Sequence, residues 1–148
     1  MILNKDTPLW RISLIYLLLS IVAFSGIAFL QYSLKWDMLD CYLPWRYFVA
    51  ENLRFGVFPL WNPYQHLGYP IFADLRSVWY PEPWLVALIG GYSNYTLHFL
   101  FITYITLAGT GMYLLSGNFT ESKNARFLAG TAWMLSGFVV GHGQEMFA

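Results

Sequence analysis

Asp37 and Asp40 are the residues whose types and spacing most readily do chemistry. They stand three positions apart, shortly after an apolar run that ends at Leu30. If a helix extends from that run to Cys41, the spacing puts both carboxylates on one face. Two carboxylates at a membrane surface can bind a divalent cation or act as a general base. The plainer reading makes them solvated acids ahead of a helix starting at Pro44. His142 and Glu145 follow the last apolar run. Delivered to the same surface, they would join Asp37 and Asp40 as ligands for a divalent metal ion. Their plainer reading is that of polar residues leaving a membrane. His66, Asp74 and Arg76 lie between the two sets. Arg76 has the fork geometry that grips a phosphate, although an Asp74–Arg76 ion pair pinning the loop is the blander role. Trp61 and Tyr64 belong to a dense aromatic set that suits either stacking on sugar rings or anchoring at a bilayer interface. His98 sits inside an apolar run, where it is either functional or a hydrogen-bonding tie between helices.

The segments that must position these residues are apolar. Of 148 residues, 57% are hydrophobic, 20% aromatic and 11% charged, against about 25% charged in soluble domains. A formal net charge of zero gives no reason to expect a nucleic-acid partner. The single cysteine, Cys41, excludes an internal disulfide framework and a cysteine zinc cluster. Ile12 to Leu30 carries no charge. At about 1.5 Å per residue it reaches roughly 28 Å, close to the ~30 Å hydrocarbon core, and it is too long for the core of a signal peptide. The expected fold is all-α: a polytopic integral membrane protein with transmembrane helices at 12–30, 95–115 and 125–143. A long extracytoplasmic loop, 31–94, carries juxtamembrane helices, and residues 1–148 form one module, read as a piece of a longer protein. Lys5, Arg11, Lys123 and Arg126 fall in short segments on one side, which favours a cytoplasmic N-terminus. Gly137 and Gly141, with Ala132 and Ser136, predict close helix packing along the third span.

The loop is not a linker. Between Lys35 and Pro83 lie nine of the sixteen Asp, Glu, Lys and Arg residues and six of the seven prolines. Loops beyond about 12–15 residues in compact proteins are usually functional. Pro44 to Phe55 reads as an amphipathic helix, with proline in its first turn and Gly56 just past its end. Trp45, Phe48, Val49, Asn52 and Leu53 share one side, and Arg46, Ala50, Glu51 and Arg54 fall nearer the other. Glu51 and Arg54 form a favourable i, i+3 pair. Trp84 to Gly91 is apolar but too short to span, and reads as a second interfacial or re-entrant helix.

The segment PLWNPYQHLGYPIFAD (Pro59 to Asp74), followed by WYP (Trp79 to Pro81) and preceded by Asp40, Pro44 and RYF (Arg46 to Phe48), resembles the YfhO family of bacterial membrane proteins. That family is similar to the GT-C class of polyprenyl-phosphate-dependent glycosyltransferases. The resemblance implies a multi-pass protein of the bacterial inner membrane, with the lipid bilayer and a polyprenyl-phosphate-linked sugar as partners. It further implies an inverting transfer to a cell-envelope acceptor, with an acidic residue early in the first outer loop as the key carboxylate. Asp40 and Asp37 both occupy that place. On this reading one of them is the base, and Arg46 or Arg76 stabilises the departing phosphate. No cofactor is required, and a divalent metal ion is an optional addition. The rival is a non-enzymatic lipid-binding or transport subunit that uses the loop as a lid.

Overall fold

The computed structural model describes residues 7–35, 37–74 and 78–141. In chain order the helices are α1 (Leu9–Ala23), α2 (Ser25–Ala28), α3 (Leu43–Arg54), α4 (Pro81–Leu88), α5 (Asn94–Ser116), α6 (Lys123–Met134) and α7 (Gly137–Gly141). A π-helical turn at Met38–Tyr42 leads into α3, and a 3-10 turn occupies Ile71–Ala73. The architecture is all-α: among the described residues the only β pairing is an isolated antiparallel bridge between Asn62 and Tyr69. The chain divides into two compact units, one of residues 7–32 with 98–141, the other Ser33–Leu97.

In the first unit, α1 and α5 run antiparallel. Thr110 Oγ1 donates to Ser13 Oγ at 3.4 Å, and Ser20 Oγ and Thr106 Oγ1 lie 2.9 Å apart. Phe24 meets Phe101 edge-on at 5.2 Å, and His98 Nδ1 lies 3.0 Å from the Ile27 carbonyl oxygen. Contacts that ascend α1 therefore descend α5. The His98 contact is the inter-helix tie that its place in an apolar run allows. Helix α6 then returns alongside α1: Lys123 Nζ donates to the Thr7 carbonyl at 3.1 Å, and the Tyr16 hydroxyl donates to that of Phe127 at 3.0 Å. Hydroxyl and histidine contacts of this kind, together with close packing, are what hold apolar helices together where burial from water gives little.

Tyr16 is where α1, α5 and α6 meet. Its ring stacks on Phe127 at 5.1 Å. A Cβ on Gly130 would meet the Gly109 carbonyl oxygen at 2.6 Å and Tyr16 Cζ at 2.7 Å. Gly109 and Gly130 are thus the small residues that permit close approach. Gly137, expected in that role, has nothing within 4 Å of its would-be Cβ, and Ala132 is exposed.

The expected spans are partly seen as such. Helix α5, of 23 residues with mean hydropathy 1.5, is the one described helix long and apolar enough to cross a membrane. The run 12–30 is helical but interrupted at Phe24, between α1 and α2. It ends where Leu30 takes φ 61° and the amides of Gln31 and Tyr32 both donate to the Gly26 carbonyl, at 2.8 and 3.0 Å. The run 125–143 breaks between α6 and α7, where Ser136 Oγ accepts from the Val139 amide at 3.3 Å. The helices are apolar on their outer surfaces too: Leu14, Leu18, Val22, Leu107, Leu114 and Leu128 are all exposed. The charged side chains described in this unit, Arg11, Glu121, Lys123 and Arg126, collect at the start of α1 and around the α5–α6 turn.

Gly130→Ala is expected to lower the melting temperature in detergent by the equivalent of about 1–3 kcal/mol, the usual cost of forcing extra atoms into a packed contact. Gly137→Ala, with open space around it, should melt like the parent. Equal melting of both variants with the parent would mean that Tyr16 and its glycines do not set the packing of these helices.

Candidate functional site

The second unit is folded around a buried charge pair. Arg46 on α3 is 1% exposed, and its Nη1 lies 3.1 Å from Glu82 Oε1 on α4. The Tyr92 hydroxyl donates to the same carboxylate oxygen, and the Arg46 guanidinium lies 5.3 Å from the Tyr80 ring centroid. A buried guanidinium is tolerable only when paired and hydrogen-bonded. The buried ridge of this helix is accordingly Tyr42, Arg46, Val49 and Ala50, at i, i+4, i+7 and i+8. This corrects the amphipathic reading, which set Arg46 and Ala50 on the open side. Hydropathy ranks arginine as outward-facing, and only a partner 36 positions away in sequence makes it a core residue. Glu82 and Tyr92 were not singled out by sequence. The one signal there was an acid in the first turn of an apolar helix.

Below the pair, Val49, Ile71 and Val78 form a small core with Phe48, Leu53 and Tyr69 packed against it. Helix α3 ends as expected, with Gly56 at φ 72° and the Glu51–Arg54 pair at 2.6 Å. Trp84 Nε1 donates to the Val78 carbonyl at 2.8 Å, and Trp79 Nε1 to that of Phe72 at 2.6 Å. The loop 62–69 is closed on itself. Asn62 and Tyr69 exchange backbone hydrogen bonds at 2.9 and 3.0 Å. The buried Asn62 side chain donates to Gln65 Oε1 at 3.1 Å and accepts from the Tyr64 amide at 3.0 Å. His66 and Leu67 both take left-handed conformations, φ 51° and 61°, at the tip. A groove of about 670 Å³ lies between this loop and α3, lined by Pro44, Tyr47, Phe48, Glu51, Asn52, Asn62, Tyr64 and Gln65.

The predicted site residues fall in different places. Asp37 and Asp40 are exposed and share one continuous helical stretch, with Asp40 inside the π-helical turn. That stretch is separated from the first apolar helix by non-helical residues 31–35 rather than prolonging it, because the chain leaves helical geometry at Leu30. Among the described residues neither aspartate carries a hydrogen bond or ion pair. Neither lines the groove. Tyr64 lines it, with its ring edge-on to Phe48 at 6.0 Å. Trp61 is exposed, and its indole lies against Gly68, where a Cβ would meet it at 2.8 Å. His66 is at the exposed tip, its ring 5.8 Å from that of Tyr69. Asp74 is partly buried just after the 3-10 turn. Arg76, His142 and Glu145 lie outside the described residues, as does the Asp74–Arg76 pair. Among the described residues no three of His, Cys, Asp and Glu cluster as a metal site.

No protein-family model, curated protein or solved structure matches this chain.

The buried triad has a pH signature. Burial, and then the Glu82 carboxylate, push the Tyr92 phenol above its ordinary value, with Arg46 pulling weakly the other way. Below pH about 10 the phenol is protonated both folded and unfolded and contributes no pH dependence. Above that, the unfolded chain releases the proton while the folded one keeps it, so stability falls as pH rises. Melting between pH about 9 and about 11.5 should therefore show a decline that is shallower in Tyr92→Phe. Parallel declines in the two proteins would place Tyr92 in water rather than against Glu82.

Proposed function

We propose that this chain is a membrane module of a polyprenyl-phosphate-dependent glycosyltransferase, with its first unit in the bilayer and its second on the extracytoplasmic side. The single observation that carries the reading is Asp40: an exposed carboxylate in a π-helical turn, one turn from the equally exposed Asp37. Single π turns within helices are frequent at functional sites, and among the described residues this carboxylate makes no hydrogen bond or ion pair that a substrate hydroxyl would have to displace. The family resemblance of Pro59 to Asp74 points the same way.

Three membrane crossings are part of the proposal. Supporting them are the antiparallel run of α1 and α2 along α5, the apolar outer surface, and charges gathered at one end. Leu9 to Ala28 in helical rise would reach about 30 Å, one hydrocarbon thickness. The N-terminus and the α5–α6 turn would then be cytoplasmic.

In the proposed step an acceptor hydroxyl gives its proton to Asp40 or Asp37 as its oxygen attacks the anomeric carbon. The bond from that carbon to the phosphate oxygen breaks with inversion, and polyprenyl phosphate leaves with the bonding pair. Arg46, paired with Glu82 and buried, holds the fold together on this reading, and phosphate stabilisation falls to Arg76. A second reading, lipid binding without chemistry, draws on the exposed Leu85, Leu88 and Ile89 of the α4 region and Leu67 of the loop tip.

Transfer of sugar from polyprenyl-phosphate donors by the protein in liposomes should fall about 10²- to 10⁴-fold in Asp40→Asn or Asp37→Asn, the range for loss of a general base. The fold should persist, since exposed acids contribute little to stability. Parent-like turnover in both variants would remove the aspartates from catalysis, and donor binding without turnover in the parent would favour the lipid-binding reading.

A further inference from the structure

We infer that the groove between α3 and the loop 62–69 binds a neutral carbohydrate. Its volume, about 670 Å³, lies within the roughly 300–1,000 Å³ usual for small-molecule sites. The occupant is argued from the chemistry of the lining. Sugars present flat C–H faces bordered by hydroxyls that both donate and accept. Such a ligand needs an aromatic face, amides and a carboxylate in one concavity, without a strong field of either sign.

The groove supplies each part. Tyr64 and Phe48 stand edge-on at 6.0 Å, and Tyr64 is 82% exposed. A large ring kept in water at the rim of a groove is a ready stacking platform. The amides are set in place by bonds that leave one end of each over. Asn52 Nδ2 donates to the Phe48 carbonyl at 2.8 Å, leaving Oδ1 to accept. Gln65 Oε1 accepts from Asn62, leaving Nε2 to donate. Glu51 Oε1 is taken by Arg54 at 2.6 Å, leaving Oε2 for a sugar hydroxyl. Donors and acceptors are thus both on offer, as a polyol requires.

Charge decides against the alternatives. Among the described residues Glu51 is the only ionised one of the lining, and Arg54 compensates it. Among the described residues a phosphate would find no cation here beyond the one already paired. An acyl chain would leave the amides of Asn52 and Gln65 dry and unpartnered, which is costly. Asp37 and Asp40 do not line the groove, so it would hold sugar whether or not either aspartate takes part in transfer. In a transferase it suits a saccharide that is held rather than cleaved.

The test is saturation-transfer NMR on the 148-residue chain in phosphatidylcholine nanodiscs, free of sugar detergents. The probes are methyl glycosides of glucose, galactose, mannose and N-acetylglucosamine, their β-linked disaccharides, glucose 1-phosphate and inorganic phosphate. At least one neutral glycoside should receive saturation, strongest on the protons of one ring face. Tyr64→Ala and Gln65→Ala should each weaken it by about tenfold, and Tyr64→Phe should retain most of it. Tyr47→Ala, on the exposed side of α3, should weaken it as well, and an unchanged helical circular dichroism spectrum checks the fold of each variant. Saturation of no neutral glycoside, binding that survives all three alanine changes, or displacement of the sugar by inorganic phosphate would each overturn the assignment. Sugar binding that persists in Asp40→Asn separates this groove from the fate of the transferase reading.

Discussion

The Arg46–Glu82 pair is the contact on which the second unit depends. Isolated, either charge at that depth would be prohibitive, since the effective penalty for a buried ion is several kcal/mol even after relaxation. Together they turn two unfavourable groups into a directional lock between α3 and α4. Tyr92 extends the lock by donating to the same carboxylate, and Tyr80 lays its ring beside the guanidinium. Glu82 also sits in the first turn of α4, where the helix dipole favours an acid. With α3 fixed, Asp37 and Asp40 ahead of it and the groove wall of Tyr47, Phe48, Glu51 and Asn52 along it are fixed as well.

The first unit is held differently. Helices α1 and α5 are apolar around their circumference, so burial alone gives them no preferred rotation. Specificity comes from the few polar and small residues: Ser13, Ser20, Thr106, Thr110 and His98 across α1 and α5, and Tyr16 between Gly109 and Gly130. The backbone carbonyls of Ile27 and Phe127 are partners as well. This is the arrangement expected where lipid tails solvate leucine as well as another helix does.

The sequence made some of this legible because the signals were local. Helix α5 showed as an unbroken apolar run, α3 as a proline start and a glycine stop, and the Glu51–Arg54 pair as an i, i+3 spacing. The interruptions at Phe24 and at Leu135–Ser136 were not visible, because apolarity is continuous across both. Gly137 misleads for a related reason: with Gly141 it fits a one-helix motif, whereas Gly109 and Gly130 come from two helices and meet only in three dimensions. Arg46 reads as outward-facing in the sequence because its partner, Glu82, is distant in the chain. The groove was half legible. Tyr64 was singled out as an aromatic of the loop, but Tyr47, Asn52 and Gln65 gain significance only when the loop folds back on α3.

A double-mutant cycle on the buried pair tests this account most directly, read as unfolding free energy of the reconstituted protein. Arg46→Met and Glu82→Leu should each cost about 3–5 kcal/mol, because each strands a buried charge. The double variant should cost far less than both together, with a coupling of several kcal/mol, because replacing both partners by apolar groups strands no charge. Small, additive losses would contradict the account, since they would mean that the two charges are solvated and that something else holds α3 against α4.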